Sequence, residues 1–341
     1  MRRRTKKLGS RRTTIYIIVI VLLVVANYIH GLSSDNAEPT TIEQQAEEPV
    51  KEQPTTRLGA EKITLELPEK SEATPSRASK EPRSGWAELP AQEESRELYI
   101  AHHMCDKDTR NYTVCYSSRH RSPMWIAAPM HTSYNGDVKR IDNYDYDPTL
   151  PVNVQTRLKR SYGEYTRGHM LGSAERNASR KMNTQTFYVT NIAPQIQKGF
   201  NQQGGAWNNL EKFVDGQLCA DTLYVVTGAI YDEYTTADGE VIKPRTTTNK
   251  NDGVQVGVPT AYYKALLRTK AGNSGKSVTE CKASELKCAA FVVAHRSESG
   301  LKPSAENIMS VDELERLTGV DFFKGVPHAP EGKAVAKEWG L

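Results

Sequence analysis

The stretch that decides the fold is "YTRGHMLGSAERNASRKMNTQTFYVTNIAPQ", residues 165–195. It places Arg167, Gly168 and His169 together at the start of a segment that otherwise contains mostly β-forming residues. Its further cations are Arg176, Arg180 and Lys181. Arginine is a permanent bidentate donor to phosphate oxygens, and glycine lets a backbone pass close by. The cluster therefore predicts a local phosphate-binding site, formed by these four basic residues, on a domain that is otherwise close to neutral.

A lone histidine is usually structural or exposed to solvent, and most of the eight histidines here fit that description. His102 and His103 are adjacent, so in a strand they would point to opposite faces, and we assign them no role. His169 differs because it stands between cations that can hold a phosphate. An imidazole with an ordinary pKa near neutrality can take a proton from water. His169 is therefore the candidate general base.

Oxygen-bearing side chains follow downstream. "TNIAPQ" contains Asn191, and "GFNQQGGAWNNLE" contains Asn201 and Glu211. Amide and carboxylate oxygens together with water suit a hard divalent ion such as Mg²⁺. Taken singly, the asparagines could be turn residues and Glu211 could lie on a solvated helix face. Their position behind the Arg-Gly-His triplet favours a metal site.

These blocks carry a resemblance to a known family. "YTRGHM", "TFYVTNIAPQ" and "FNQQGGAWNNLEKF" resemble the DNA/RNA non-specific endonucleases, which are ββα-metal nucleases. The resemblance continues through "LYVVTGAIY", "VGVPTAYYKALL" and "SVDELERLTGVDFF", so it covers nearly all of residues 93–341. It implies an α+β fold of the His-Me finger type, in which helices flank a central, mostly antiparallel sheet.

The resemblance also implies a role for each matching residue. His169 matches the general base, Asn201 the direct ligand of a single Mg²⁺ (with Mn²⁺ as an alternative ion), and Glu211 the carboxylate that orients the metal's waters. Arg167 and Asn191 match polar residues that support the site and its phosphate. The implied activity is metal-dependent hydrolysis of DNA or RNA to 5′-phosphate products. Contacts mainly to the backbone would give little sequence preference.

The sequence departs from the family pattern at two places. Thr166 stands where the family usually has Asp before Arg-Gly-His, and we expect a working site with altered positioning of His169. Counting back from Trp207, the family spacing places the metal ligand at Gln203 rather than Asn201. "QQGG" therefore resembles a two-residue insertion, which Gly204 and Gly205 can absorb if the helix starts after them. Asn201 remains the preferred ligand and Gln203 the alternative.

Runs rich in β-branched and aromatic residues predict the strands, and apolar residues at helical spacing predict the helices. The predicted strands are 112–116, 124–130, 186–193, 222–231, 261–269 and 288–296, and the predicted helices cover 206–218 and the segment after the N-cap Ser310. In the latter, Glu313 stands three residues after Ser310, as in a capping box. The result is one mixed α+β domain.

The amino-terminal part has a different composition. Residues 1–13 carry seven Lys/Arg and no acid, and the apolar run 15–29 follows directly. That order is typical of an export signal or signal anchor, so 1–32 is predicted to tether the chain to a membrane. Residues 33–92 hold twelve acids and seven bases among many Pro, Thr and Ser, which predicts a disordered stalk before an endonuclease domain at 93–341. We expect the catalytic domain outside the cytoplasm, in the periplasm or at the cell surface, or secreted if the signal is cleaved.

The cysteines are consistent with an oxidising compartment. Cys105 and Cys115 lie ten residues apart, and Cys281 and Cys288 seven apart, so two local disulfides are the simplest pairing. Four cysteines allow three connectivities, Cys219 could displace any of the four, and five buried thiols are the alternative. The absence of a C-x-x-C pair gives no support for a zinc site.

The net charge of +4 is unevenly distributed, because residues 93–341 carry 31 bases against 29 acids. Global charge therefore makes no case for a polyanion partner, and only local clusters could. The sequence favours an endonuclease that acts on DNA and RNA, and we infer no obligate protein partner. The alternatives are a catalytically inactive nucleic-acid-binding module, or a surface interaction module, on the same fold.

Overall fold

A computed structural model of the protein describes residues 86–341. Its strands are β1 (Leu98–Met104), β2 (Arg110–Ser117), β3 (Ser122–Met130), β4 (Thr166–His169), β5 (Ile192–Gln195), β6 (Leu223–Ile230), β7 (Tyr234–Thr235), β8 (Val241–Ile242), β9 (Arg245–Thr248), β10 (Gln255–Val258), β11 (Ala261–Thr269) and β12 (Leu286–Ala294). Its α-helices are α1 (Arg180–Gln185), α2 (Ala206–Asp215) and α3 (Val311–Thr318). The apolar run 15–29 and most of the predicted stalk lie outside the described residues.

A six-stranded antiparallel sheet in the order β1-β2-β3-β6-β11-β12 forms the centre of the domain. Successive side chains of a strand point to opposite faces, and both faces of this sheet are apolar. In β2, for example, Val114 and Tyr116 belong to one core, whereas Cys115 between them belongs to the other. The sheet is therefore covered on both sides, as its long β-branched runs predict.

The two cores have different partners. On the first face, Trp207, Leu210 and Val214 of α2 pack on the sheet together with Phe200 from the preceding loop. On the second face, α3 packs through Val311 and Leu314, followed by Phe322 and Phe323. The predicted capping box at the start of α3 is formed, since Ser310 Oγ accepts the Glu313 N–H at 3.2 Å.

The hairpin β4–β5 lies on the first face of the sheet. Its register pairs His169 with Ile192 and Thr166 with Gln195. A third apolar cluster supports the hairpin from the neighbouring loops and from β10, and its buried members are Leu158, Tyr162, Tyr165, Val189, Ile192, Val256 and Val258. The residues of the decisive stretch thus begin and end on two paired strands.

Most predicted strands coincide with observed strands. The segment 186–193 is the exception, because residues 189–191 form a 3₁₀ turn and β5 begins only at Ile192. In this turn the Asn191 N–H donates to the nearby Tyr188 C=O, and the Val189 N–H donates to Asp145 C=O from a distant part of the chain. Helix α2 begins at Ala206 as predicted and ends at Asp215, three residues early.

The folded domain begins before the predicted boundary at residue 93. Ala87 is buried in the second core, and the fully buried carboxylate of Glu88 accepts a hydrogen bond from the buried guanidinium of Arg110. Arg110 also lies over the Trp86 ring, 4.3 Å from its centre. The described end of the predicted stalk, residues 86–92, is therefore part of the domain. The acidic composition suggested that these residues were disordered, but Glu88 is buried because it pairs with Arg110, 22 residues further along the chain.

Neither predicted disulfide is present, and all five cysteines are free thiols. In the β1–β2 hairpin, Cys115 pairs with Ile100, whereas the Cys105 N–H bonds to Thr109 C=O near the turn. Five residues of strand separate these positions, which is roughly 16 Å at about 3.3 Å per residue. A disulfide needs Cα atoms within about 7 Å. Cys105 and Cys115 are therefore too far apart in the hairpin to form a disulfide, although only ten residues separate them in sequence.

Candidate nuclease active site

Gly168 is required by close packing at the β4–β5 hairpin. A Cβ on Gly168 would lie 2.1 Å from Cδ of the Gln195 side chain, so any larger residue would displace Gln195. Gln195 is fully buried and its Oε1 accepts a hydrogen bond from Asn201 Nδ2. The glycine beside His169 therefore lets a side chain connect β4 to the loop that carries Asn201.

His169 ends β4 with its ring between aromatic edges. The ring centre lies 5.0 Å from that of Phe187 and 5.8 Å from that of Tyr144, both in edge-on geometry. Nε2 is buried and has no hydrogen-bond partner among the described residues. Burial, followed by the nearby charges of Arg140 and Arg167, lowers the pKa of His169 to about 3. The imidazole is therefore neutral near pH 7.

Arg167 and Arg140 flank this histidine. The Arg167 guanidinium lies 3.8 Å from the Tyr144 ring centre and donates to the carbonyls of Leu158 and Lys159. Arg140 was not identified from the sequence. Its guanidinium lies 4.8 Å from the Phe187 ring centre, donates to Ser173 Oγ at 3.0 Å and is half exposed.

Asn191 is fully buried and supports the backbone. Its Oδ1 accepts the Leu171 N–H at 3.0 Å, and its Nδ2 donates to the carbonyls of Leu171 and Thr186. These contacts fix the chain that follows His169 against the chain that precedes β5. This position fits the predicted supporting role of Asn191, because every polar atom of its side chain holds the main chain around His169.

Arg176 does not belong to the phosphate surface. Its guanidinium is fully buried, donates to the carbonyls of Pro129, Glu175 and Asn111, and lies over the Tyr134 ring. The prediction that it binds phosphate is wrong, because the guanidinium is fully buried among these carbonyls and is not accessible to a strand. Arg180 and Lys181 are exposed on α1. The charge of Lys181 acts on Asp106 in the β1–β2 turn, and no contact links either cation to His169.

The loop between β5 and α2 absorbs the extra residues. Gln203 and Gly204 have left-handed backbones with φ of 56° and 75°. Gly205 lies against Phe200, where an added Cβ would come within 2.3 Å of the Phe200 nitrogen. Residues 201–204 therefore form a short excursion, a loop that leaves the main path of the chain after Phe200 and comes back beside it at Gly205. The Phe200 carbonyl accepts the Asn208 N–H at 3.1 Å. A residue that precedes the excursion therefore binds a free N–H in the first turn of α2. The expectation that the glycines absorb the insertion is confirmed.

Asn201 and Gln203 have different surroundings within this excursion. Asn201 is partly buried, its N–H donates to the Ile196 carbonyl at 3.1 Å, and its Nδ2 is held by Gln195. The hydrogen bond through Nδ2 leaves Oδ1, the atom that would bind a cation, free of that contact. Gln203 is exposed on the tip of the excursion. The geometry favours Asn201 over Gln203 as the candidate metal ligand.

Glu211 projects from α2 into a group of charges. Burial, together with the neighbouring carboxylates of Glu175 and Asp215, raises its pKa to about 8, and the Lys264 ammonium opposes the shift. Lys264 is buried and donates to Thr227 Oγ1 at 2.9 Å. Burial and Glu175 also raise the pKa of Asp215, to about 6. The raised pKa values mean that these carboxyls resist ionising together, and a bound cation would favour their ionised forms.

The donor types of two candidate residues suit a divalent cation that keeps most of its water. Asn201 offers an amide oxygen, and Glu211 offers a carboxyl whose ionised form a cation would favour. Among residues 86–341, no three His, Cys, Asp or Glu side chains are arranged to hold an ion by themselves. Hard oxygen donors with few protein ligands are what Mg²⁺ prefers.

Comparison with known proteins identifies the family. The family model described as "DNA/RNA non-specific endonuclease" matches residues 103–329, which include every candidate site residue discussed above. The chain belongs to the DNA/RNA non-specific endonuclease family. It is therefore a nuclease, of a class that is metal-dependent in general, and its antiparallel sheet with few helices is the ββα-metal nuclease fold.

Named relatives agree with this assignment. The chain is 26% identical over 224 residues to "Endonuclease G, mitochondrial" of Homo sapiens, covering 64% of this chain and 70% of that protein. It is 29% identical over 220 residues to "Nuclease" of Nostoc sp., covering 63% and 72%. A solved structure, "Crystal structure of the EndoG/EndoGI complex: Mechanism of EndoG inhibition", superposes with a TM-score of 0.53 at 25% identity, covering 74% of this chain and 95% of that chain.

These relatives correct the predicted location. We expected an exported or membrane-anchored nuclease outside the cytoplasm, but the endonuclease G relatives of Homo sapiens and Bos taurus and a Saccharomyces cerevisiae nuclease are named as mitochondrial. Within residues 86–341, no helix is long and apolar enough to cross a bilayer. The predicted membrane partner gains no support, and the prediction of export is wrong. The sequence pattern misled because a basic segment followed by an apolar run is a short and unspecific signal.

Proposed function

We propose that this nuclease hydrolyses phosphodiester bonds of DNA and RNA with Mg²⁺, with little sequence preference, and releases 5′-phosphate ends. One observation carries the proposal: His169 presents an unpartnered, neutral Nε2 between two arginines. A nitrogen that accepts a proton beside cations that hold a phosphate is the arrangement that hydrolysis of a phosphodiester needs.

In the proposed reaction, His169 Nε2 takes a proton from a water molecule. The water oxygen attacks phosphorus in line with the bond to the 3′-oxygen. That bond breaks, the phosphate stays on the 5′-oxygen of the downstream nucleotide, and the 3′-oxygen leaves and gains a proton from solvent. Phe187 and Tyr144 hold the imidazole in place by their edges, while Asn191 fixes the chain immediately after it.

Arg140 and Arg167 are proposed to bind the scissile phosphate. Each guanidinium is positioned by stacking on an aromatic ring and by hydrogen bonds, so each is already ordered before substrate arrives. Contacts to phosphate carry no base information, which supports cleavage with little sequence preference. The 2′-hydroxyl has no assigned partner in this proposal, which therefore includes both DNA and RNA.

Asn201 Oδ1 would hold the metal directly, and Glu211 would hold it through water. When bound, the ion supplies charge stabilisation to the phosphate oxygens and to the leaving oxygen. Gln195 orients Asn201 through its hydrogen bond and is buried against Gly168. Glu211 must be ionised for this role, and a nearby dication would favour that form.

The test compares the parent protein with His169→Ala on supercoiled plasmid and on single-stranded RNA, each with Mg²⁺ or with EDTA. We expect nicking and linearisation of the plasmid and shortening of the RNA with Mg²⁺ alone. We also expect a loss of about 10²–10⁴-fold in the alanine variant, the range that general-base catalysis contributes. End labelling should find 5′-phosphates. Full cleavage by His169→Ala would show that another group is the base.

A further inference from the structure

A short loop before the hairpin β4–β5 carries three exposed cations. We call residues 157–160 the basic loop: Arg157, Lys159 and Arg160 are exposed, and Leu158 between them is buried in the third apolar cluster. Leu158 therefore anchors the loop while the charged residues on either side face solvent. The exposed Lys250 lies in the adjoining loop, since its Cε comes within 3.8 Å of the position of a Cβ on Gly163.

The backbone of the basic loop is held rigidly by a segment more than 90 residues away. The Arg157 N–H donates to Asp252 Oδ2 at 2.7 Å, and the Arg157 carbonyl accepts from Asn249 Nδ2 at 2.7 Å. At the other end, the Arg160 N–H donates to Asn251 Oδ1 at 2.7 Å and the Arg160 carbonyl accepts from Asn251 Nδ2 at 3.1 Å. Both ends of the loop are fixed through main-chain groups, which leaves the cationic side chains unused.

The same loop is joined to the catalytic hairpin. The Arg167 guanidinium donates to the carbonyls of Leu158 and Lys159 at 3.2 and 3.1 Å. Arg167 stands two residues before His169 on β4. The basic loop is therefore in direct contact with Arg167, one of the two arginines proposed to bind the scissile phosphate.

The basic loop carries free charge. None of the ion pairs within residues 86–341 involves Arg157, Lys159 or Arg160. By contrast, Arg296 pairs with three carboxylates. Of the nearby acids, Asp252 accepts hydrogen bonds from three main-chain or hydroxyl donors of the two loops. The Asp252 carboxylate thus holds the two loops together.

We propose that the basic loop binds the phosphates that flank the scissile bond on one side, and so forms a sequence-independent extension of the active site for a nucleic-acid strand. This inference rests on the proposed nuclease function. The backbone of the loop is already fixed and needs no ordering when the strand binds, and its three cations release counterions from the strand. This surface adds cations that the sequence-based prediction did not name, and it replaces the buried Arg176.

The test measures binding without cleavage. His169→Ala protein is titrated against a fluorescent 30-base-pair duplex from 50 to 300 mM NaCl, alone and with Arg157→Gln, Lys159→Gln and Arg160→Gln combined. Each phosphate contact contributes about 0.9 to the slope of log affinity against log salt. We expect the slope to fall by about 2–3 and the Kd to rise at least tenfold near 100 mM salt. Unchanged slope and Kd would overturn the proposal.

The matched control replaces the exposed cations Arg316, Lys324 and Lys333 by Gln, which removes the same charge from α3 and the following carboxy-terminal segment. We expect this variant to keep the parent slope to within about 0.5, because phosphate contacts rather than net charge set the slope. An equal fall in both variants would overturn the proposal in favour of net charge. Melting temperatures of both variants report their folding. If the parent protein cleaves nothing yet the slope still falls only in the basic-loop variant, the hydrolysis proposal fails and the binding surface stands.

Discussion

Nε2 of the buried His295 accepts a hydrogen bond from the main-chain N–H of Ile196 at 2.9 Å. Its Nδ1–H donates to the Pro259 carbonyl at 2.8 Å, so the ring is in one tautomer. The Ile196 carbonyl in turn accepts the Asn201 N–H at 3.1 Å. His295 thus ties the start of the loop that carries Asn201 to the turn before β11.

From this contact we predict that His295→Ala weakens metal binding more than it weakens nucleic-acid binding. Groups that orient metal ligands typically change affinity by 10–100-fold. The half-saturating Mg²⁺ concentration should rise by about that factor. Metal binding can also be followed without turnover, as the rise in melting temperature with added Mg²⁺.

His295→Gln provides the conservative comparison, since its amide can accept from Ile196, and it should recover part of the Mg²⁺ affinity. The exposed His328→Gln is the matched control and should behave as the parent. Equal loss in Mg²⁺ affinity and in duplex Kd for His295→Ala would mean that the histidine serves the fold in general rather than the loop.

Two buried histidines predict a stability that depends on pH. Burial lowers the pKa of His169 and of His295 to about 3, against about 6.5 in an unfolded chain. Between these values the unfolded state holds a proton that the folded state does not, so the free energy of unfolding falls as pH decreases. The loss is about 1.4 kcal/mol per pH unit per histidine, or about 2 kcal/mol each from pH 6.5 to pH 5.

Urea denaturation of metal-free protein at pH 7 and pH 5 measures this loss. His295→Gln should be less stable than the parent at pH 7, yet should lose about 2 kcal/mol less on going to pH 5, because one of the two groups is gone. An identical loss in the parent and the variant would show that His295 titrates alike in the folded and unfolded chain.

The excursion between β5 and α2 predicts which amide binds the metal. Asn201→Ala should reduce the Mg²⁺-dependent rate by at least about 100-fold, as expected when the direct ligand is lost. Gln203→Ala should stay within about twofold, because Gln203 is exposed at the tip. Asn201→Asp is informative as well, since it keeps the ligand oxygen. A large loss confined to Gln203→Ala would assign the metal to Gln203 and reverse the preference.

The sequence predicted those features that short stretches of chain determine. β-branched runs predicted most strands of the central sheet, and the glycines at 204 and 205 predicted how the insertion is absorbed. Gly168 beside His169 predicted close packing by a neighbouring backbone, and the structure shows close packing by the Gln195 side chain instead. In each case the relevant contact lies within a few residues or across one hairpin.

The features that sequence could not predict depend on distant contacts. Arg176 and Arg140 are both arginines near the decisive stretch, and only the fold separates them. Carbonyls of Pro129 and Asn111, 47 and 65 residues away, take up the Arg176 guanidinium, whereas Arg140 rests on the Phe187 ring and stays half exposed. The disulfide prediction failed for a similar reason, since hairpin register rather than spacing sets the distance between Cys105 and Cys115.

This separation predicts opposite phenotypes for two arginine variants. Arg140→Gln should keep its stability and lose roughly 10–100-fold in cleavage rate, as expected when a charged contact to the phosphate is removed. Arg176→Gln should lose about 3–5 kcal/mol of unfolding free energy, because it removes a fully buried cation and leaves carbonyl partners unpaired. Rates are compared at a temperature where both variants are folded. If Arg176→Gln is as stable as the parent but inactive, then Arg176 does contribute to phosphate binding as the sequence predicted.

The amino-terminal boundary gives the last prediction. A chain that begins at Glu93 lacks Glu88 and leaves the Arg110 guanidinium buried without its carboxylate. Removing one partner of a buried pair costs about 3–5 kcal/mol, so this chain should unfold at lower urea than a chain that begins at Gly85. In the longer chain, Glu88→Gln should reproduce most of the loss, which separates the ion pair from the packing of Ala87. Equal stability of the 85–341 and 93–341 chains would show that residues 86–92 add nothing to the domain. In that case the attraction between Glu88 and Arg110 would not exceed the free-energy cost of removing both charges from water.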